Sequence, residues 1–344
     1  MENRNNIIGG EFDIDLQSLQ YQRGCNDLHN IYKYASGRSA LYYILLDIKR
    51  RFGINKILLP DYLCSSVVFA ASKAGMGVCY YELNESLEID TNSFVHQYDI
   101  DSAVLIINYF GLQKTDSQVE YVRSLNPNAV VIEDDVQSYY EFCTTLNNVN
   151  YKFTSLRKTF AIPDGGLVKS LYELLEPEQS NKFHQYKLGG SILKSLRKPE
   201  YYDDEVYLSM FERGESMIDD EISLGMSLMA QSIISKTDII RLQYIRKRNA
   251  KIITDGLNSL GVKTLLPVME NKTPLFVPIY VQDRNKVRKY MFQHNVFCPV
   301  HWPLEGLSLK KGAEMAEHEL SLIVDQRYTH KDMEYILDLL SQTI

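Results

Sequence analysis

Long apolar runs, blocks of like charge and paired cysteines are all missing from this chain of 344 residues. Its five cysteines (Cys25, Cys64, Cys79, Cys143 and Cys298) stand far apart, odd in number and without metal-type spacing. They read as reduced thiols of a cytoplasmic protein, mostly small core residues, so neither a disulfide framework nor cysteine catalysis is expected. The longest apolar runs, such as Ala103 to Ile107, fall far short of the ~20 residues that span a bilayer, so no membrane partner is expected. Met1 to Asn6 holds no apolar stretch, and a cleaved leader is not expected either. The formal net charge of -7 is a mild acidic balance spread along the chain. Phosphate contacts need clustered Lys and Arg, so a nucleic-acid partner is not expected. No His/Asp/Glu set has metal spacing, and internal repeats and low-complexity tracts are absent.

What is present is a hydrophobic content of 45%, enough for one large core or two smaller ones. Leu41, Ile44, Leu45, Ile48 and Phe52 recur at helical spacing, which predicts an amphipathic helix over about 39–52. Lys56 to Leu59 is a short strand stopped by Pro60, and 63–74 a helix closed by Gly75. Val78 to Glu82, Ala103 to Asn108 and Ala129 to Glu133 are further apolar runs, with a helix from Asp116 to Leu125 between the last two. Near-continuous apolar runs suit strands buried on both faces of a parallel sheet with helical crossovers, so this part is α/β. Composition shifts near Glu176, and 176–222, rich in charge and Tyr, reads as helices and loops over the mouth of the domain. A long helix from about Lys236 to Leu260 follows, then a strand from Leu275 to Val281 and a helix from Arg284 to His294. A strand then leads into Cys298 to Pro303. The last helix starts at Thr329 with Asp332 completing a capping box, and buries Met333, Ile336, Leu337 and Leu340. The expected division is a large domain over 1–235, with the helical segment 176–235 included, and a smaller C-terminal α+β domain over 236–344.

Two segments carry chemistry. One is Val130-Val131-Ile132-Glu133-Asp134-Asp135-Val136-Gln137, an apolar run ending in acids. The other is Ser155-Leu156-Arg157-Lys158, followed by Asp164-Gly165-Gly166. An amine and a strand-end carboxylate at this separation fit the two ends of a pyridoxal 5'-phosphate site. Lys158 would form the Schiff base and shuttle a proton, while Asp134 would keep the pyridine nitrogen protonated. The cofactor's phosphate needs amides at a helix N-terminus, and Ser36-Gly37-Arg38-Ser39 stands where the first helix begins. Gly37, Arg38 and Ser39 could present amides there, with Ser155 adding a hydroxyl. Taken alone, Ser36-Gly37 is a plain cap and Lys158 a plain surface cation; the combination gives them weight. Asp135 reads as a solvated or supporting acid beside Asp134.

The order Gly37-Arg38-Ser39-Ala40-Leu41, Glu133-Asp134-x-x-Gln137 and Lys158 with Asp164-Gly165-Gly166 resembles the DegT/StrS group, over residues 30–170 and again around Pro299-Val300-His301. These are fold-type I pyridoxal phosphate enzymes, mostly nucleotide-sugar aminotransferases. The resemblance implies a mainly parallel seven-stranded sheet flanked by helices, and an enzyme, a transferase, moving an amino group from an amino-acid donor to a keto group of a sugar or nucleotide sugar. The setting implied is polysaccharide or cell-surface glycan biosynthesis. Residue by residue, it implies Lys158 as the Schiff-base lysine, Asp134 at the ring nitrogen and Gln137 near the ring hydroxyl. It implies Gly37, Arg38, Ser39 and Ser155 at the phosphate, and Tyr62 or Cys64 against the ring face. Asn108, Tyr109 and His301 fall on the substrate side. A homodimer with composite sites is implied, with Arg38 and the stretch Ser223 to Ser227 near the partner subunit's phosphate. The family's His before the Tyr-Gly step is replaced in Asn108-Tyr109-Phe110-Gly111, and its Gly-Tyr-Asn-Tyr-Arg segment is not recognisable. The chain thus looks like a divergent branch. Alternatives are another pyridoxal phosphate reaction on this fold, such as sugar dehydration, or a cofactor- or nucleotide-sugar-binding homologue without turnover.

Overall fold

A computed structural model of the chain describes residues 7–14, 31–146, 148–197, 204–302 and 310–344. Seven strands form the central sheet: β1 (Tyr32–Tyr34), β2 (Lys56–Pro60), β3 (Gly77–Tyr81), β4 (Ser102–Ile107), β5 (Val131–Asp134), β6 (Tyr151–Ser155) and β7 (Gly166–Ser170). Their spatial order is β1-β7-β6-β5-β4-β2-β3. The pairs from β3 through β6 are parallel, and β7 is antiparallel to both its neighbours. Strand β4 is buried at every position, as a sheet covered on both faces requires. The chain steps outward from β2 to β3 and then returns to place β4 on the other side of β2. In doubly wound sheets the crevice at such a reversal, outside the carboxyl ends of the strands, is where ligands bind. Ile107, Asp134 and Ser155 all end their strands at that edge.

Helix α1 (Gly37–Phe52) follows β1 after a two-residue link, Ala35-Ser36. Ser36 caps it by accepting the Ser39 N–H at 3.1 Å, and Gly53 closes it in the left-handed region at φ 69°. The helix therefore starts at Gly37, two residues before the apolar periodicity predicts, because the cap, unlike the stripe, marks the true N-terminus.

The charged stretch after residue 176 folds into two helices packed on each other, α2 (Phe183–Ser195) and α3 (Glu205–Met217). Helix α4 (Leu228–Lys236) ends before α5 (Ile239–Ser259), whose N-cap is Asp238. The long helix expected from Lys236 thus starts later, at the cap. A second core forms where β8 (Phe276–Tyr280) pairs antiparallel with β9 (Glu319–Ile323) under α5, α6 (Arg284–Gln293) and α7 (His330–Ser341). Thr329 and Asp332 form the expected capping box of α7. Leu339 takes the buried place expected of Leu337, which is half-buried against this core. Ile8–Gly9 runs parallel to Val296–Phe297, so Ile8 packs in the second core and not with the residues that follow it. No described helix is long and apolar enough to cross a membrane. Among the described residues no group of His, Cys, Asp and Glu is arranged to hold a metal ion.

Candidate active site

The edge of the sheet opens into a cavity of about 220 Å³. Gly37, Arg38, Cys64, Asp134, Gln137, Ser155, Lys158 and His301 line it. Residues far apart in sequence meet here because β5 and β6 end side by side, with α1 starting directly above them.

Asp134 is the last residue of β5 and is 5% exposed. Its register partners Ile107 and Phe153 line the cavity with it. Its Oδ1 accepts the Val136 N–H at 2.9 Å. Burial raises the carboxyl to about 7, with Glu133 adding to the rise and the Val136 amide opposing it. Neighbouring positions of a strand face opposite ways, so Glu133 lies on the other side of the sheet. There it meets Lys152 at 2.9 Å and the Thr115 hydroxyl at 2.7 Å. Asp135 joins that buried group, accepting from Asn108 at 3.1 Å with Lys152 at 3.9 Å. Burial and Glu133 push its carboxyl well upward. Asp135 is therefore not solvated, and its side chain belongs with the Glu133–Lys152 pair behind the sheet.

Lys158 sits on the single helical turn Leu156–Thr159 that follows β6. It is exposed, and among the described residues its ammonium has no hydrogen-bond or ion-pair partner. Ser155, which precedes this turn, is buried beside Gly37. A Cβ on Gly37 would stand 3.3 Å from both Ser155 Cβ and Val136 Cγ2, so a small residue keeps the helix start close to the hydroxyl. The glycine pair behind Lys158 serves the same junction. The Gly165 N–H donates to Ala35 O at 2.8 Å, and the Leu156 N–H to Gly165 O at 3.0 Å. Asp164 is fully buried, accepting from the Ser227 N–H at 2.7 Å, the Ser227 hydroxyl at 2.8 Å and the Asn181 amide. The Ser223–Ser227 stretch is thus tied into its own chain, with Leu224 O accepting the Ala35 N–H at 3.0 Å.

Gln137 accepts the Phe110 N–H at 2.8 Å through Oε1, which leaves its NH₂ to face the cavity. His301 is 9% exposed, with Nδ1 at 3.0 Å from the Ser321 hydroxyl and its ring among Phe110, Phe276 and Trp302.

Four of the residues named from sequence are placed differently. Ser39 is fully buried and its hydroxyl pairs with Ser36 at 3.1 Å, so it completes the cap and does not line the cavity. Tyr62 is 1% exposed and stacks on Tyr109 with ring centroids 5.5 Å apart. The Tyr109 hydroxyl donates to Tyr62 O, so both rings are core and neither lines the cavity. Cys64 lines it instead, holding the Ser66 hydroxyl at 3.0 Å. Asn108 is 1% exposed and turned to Asp135, away from the substrate side.

The reading of the sequence missed Glu215 and Arg157. Glu215, on α3, reaches the cavity and gathers Arg38 at 3.3 Å, Arg157 at 3.1 Å and Lys187 at 2.8 Å. Burial pulls its carboxyl up, but Arg157, Lys187 and Arg38 outweigh that and hold it far below the usual carboxylate range. Arg38 also bonds Asp219 at 2.7 Å. Its guanidinium is therefore pledged to acids of α3 and its vicinity, and only its backbone amide remains for an anion. Arg157 was legible as part of Ser-x-x-Lys, whereas nothing local in α3 marks Glu215.

No protein-family model matches the chain, and no curated protein matches it. Solved structures do. The aminotransferase TlmJ of Streptoalloteichus hindustanus superposes with a TM-score of 0.67 at 12% identity, covering 98% of this chain and 99% of that one. A protein described as a sugar aminotransferase, Spr1654 of Streptococcus pneumoniae, in its PLP form gives 0.65 at 12% identity, with coverage of 97% and 93%. The sugar aminotransferase CalS13 of Micromonospora echinospora gives 0.64 at 13%, with 97% and 94%. The chain has the fold-type I architecture of these transferases over nearly its whole length, and at this identity the likeness is one of fold.

Proposed function

We propose that the chain is a pyridoxal phosphate-dependent aminotransferase acting on a keto sugar, with Lys158 and Asp134 as its catalytic residues. The observation that carries this is the placement, in one cavity under the start of a helix, of an exposed lysine without a partner among the described residues and a buried carboxyl. Of the neighbours of like fold named above, Spr1654 and CalS13 are described as sugar aminotransferases, Spr1654 in a PLP form, and TlmJ as an aminotransferase.

The cavity fits the cofactor. The first amides of α1, at Gly37 and Arg38, have no intrahelical acceptor, and they sit beside the Ser36 and Ser155 hydroxyls. An anion there would also feel the positive end of the helix. Cys64 would lie against one face of a ring seated above Asp134, and the Gln137 NH₂ can donate to a ring hydroxyl. Bound here, pyridoxal phosphate supplies an electron sink for the carbon that loses its proton.

The chain's residues supply the rest. Asp134, buried in the cavity wall, would hold a proton at the ring nitrogen by charge and hydrogen bond. Lys158, on its short turn, provides the amine for the covalent link. Once released it takes the proton from the donor's α carbon at Nζ and returns it to the acceptor side. His301 and Trp302 line the same cavity as Asp134 and Lys158 and would border the substrate.

We further propose a nucleotide-linked sugar as acceptor, an amino acid as donor and glycan biosynthesis as the context, each by the motif resemblance alone, and a cytoplasmic setting from the scattered cysteines. A homodimer is supported by large side chains left bare: Leu228 and Ile240 are each 80% exposed and Tyr244 69%. Borohydride reduction of the yellow protein and peptide mapping should place the label on Lys158. A label on another lysine, or none in cofactor-saturated protein, refutes the assignment.

A further inference from the structure

A second chamber, about 500 Å³, lies on the far side of Lys158. It shares Arg157, Lys158, Glu215, Leu275, Phe276 and Pro299 with the first. Its outer wall is Gly9 to Phe12, pinned by Arg327 to Gly10 O at 3.2 Å and to Glu11 O at 3.1 Å. The remaining walls come from α5, α6 and the strands of the smaller layer.

The charges of this chamber do not balance. Two of its cations are already matched, Arg157 by Glu215 at 3.1 Å and Arg327 by Asp325 at 2.8 Å. The third acid, Glu11, pairs with Lys187 at 3.1 Å. That leaves two guanidiniums, besides Lys158, without a carboxylate within 4 Å among the described residues. Arg246 is 1% exposed; it donates to Leu275 O at 2.8 Å and to Gln326 Oε1 at 2.7 Å, and its Nε has no partner. Arg288 is half-buried, giving only Nε to Cys298 O at 3.2 Å and lying 4.5 Å over the Phe292 ring. Neutral carbonyls, an amide and a ring are poor compensation for buried charge. A guanidinium held by one edge against a ring keeps its outer fork free for a planar or tetrahedral anion.

We propose that this chamber is a subsite for an anionic group of the substrate, with Arg288 as its specificity residue and Arg246 as the fixed charge behind it. The inference rests on the reading of Lys158 as the reacting end, since it places the anion on the side of the lysine away from Asp134. The same chemistry can come from the carboxylates of an amino donor or from the diphosphate of a nucleotide-linked acceptor.

The test is calorimetric titration of pyridoxal phosphate-saturated protein with 2-oxoglutarate and, separately, with uridine diphosphate. Arg288→Gln should weaken at least one of them tenfold or more, as loss of a charged partner does. Lys289→Gln, an exposed change on the same helix, should leave both unchanged. Loss confined to 2-oxoglutarate assigns the subsite to the donor, and loss confined to uridine diphosphate assigns it to the acceptor. Binding of neither anion, or equal affinity in Arg288→Gln, overturns the proposal. If Arg288→Gln fails to fold, Arg288→Lys should keep part of the affinity by keeping the charge, and full affinity there would equally refute the forked contact. Borohydride labelling of the same samples separates the two readings. A label on Lys158 with no Arg288 effect rejects the subsite alone, and an absent label rejects the assignment of Lys158 itself.

Discussion

Gly166 lies so close to Ser36 that a Cβ added to it would stand 2.0 Å from the Ser36 carbonyl oxygen. This contact joins β7 to the cap of α1, and it sets the first amides of the helix over the end of β6. Gly166→Ala cannot be absorbed by rotating a flexible side chain, because the obstacle is backbone. The variant should lose about 3 kcal/mol or more of stability, at the upper end of overpacking effects. Gly53→Ala, at φ 69° with nothing within 4 Å of the added carbon, should cost only about 1 kcal/mol. Urea unfolding of both variants ranks them, and equal midpoints would contradict the close contact.

Asp134 gives a pH signature in cofactor-free protein. Its carboxyl, ordinarily near 3.8, is raised by burial to about 7. A raised acid favours the folded state below its unfolded value, and that contribution is lost as pH rises through the folded one. Thermal stability should therefore fall from about pH 4 to about pH 7 and level off above, with a total cost on the order of 4 kcal/mol. Asp134→Asn has no proton to lose, so the difference between its Tm and the wild type's should grow in its favour over that window. A constant difference would refute the buried neutral carboxyl. Once loaded with cofactor, the same variant should lose about 100-fold or more in transamination rate, because an amide cannot hold the ring nitrogen protonated. Asp135→Asn should be milder in rate, since its side chain faces Lys152 behind the sheet.

Cys64 and Tyr62 were equal candidates in the segment Leu59 to Cys64, and only packing separates them. Cys64 lines the cavity, while Tyr62 is sealed against Tyr109. Saturating pyridoxal phosphate should slow alkylation of Cys64 by iodoacetamide and leave the exposed Cys143 unaffected. Mass spectrometry of tryptic peptides reads both sites, and equal protection of the two would place the ring elsewhere.

The parts of the site legible in sequence are those fixed by local chemistry. A strand ending in acids, a lysine on the next turn and a Gly-Arg-Ser helix start are each encoded within a few residues. What was not legible depends on partners distant in the chain. Tyr109 reads as a site residue until Tyr62 is seen stacked on it, and Asp135 reads equally as a solvated or a supporting acid until Lys152 from β6 is seen beside it. Strands β6 and β7 escaped periodicity because Lys152 interrupts one apolar run and Gly166 opens the other. Ile8 joins the second core through a two-residue pairing with Val296 that is too short to leave a pattern.

Glu215 holds the cations nearest the phosphate cradle while no ligand anion competes. Its carboxylate spans Arg38 and Arg157, and Lys187 adds a third contact. Lys187 also has Glu11 at 3.1 Å, so Glu215→Gln leaves no buried ammonium unpaired and the fold should survive. The glutamine frees Arg157 toward the cavity, leaves Arg38 held by Asp219 at 2.7 Å, and removes one negative charge from the rim. Inorganic phosphate, titrated into cofactor-free protein, should therefore bind more tightly to the variant, by roughly three- to tenfold for partly exposed pairs. The gain should shrink as salt rises from 0.05 to about 1 M, since the screening length falls to ~3 Å. Unchanged phosphate affinity would mean that the cradle is built from the amides of α1 alone, with Arg38 and Arg157 serving only to anchor α3.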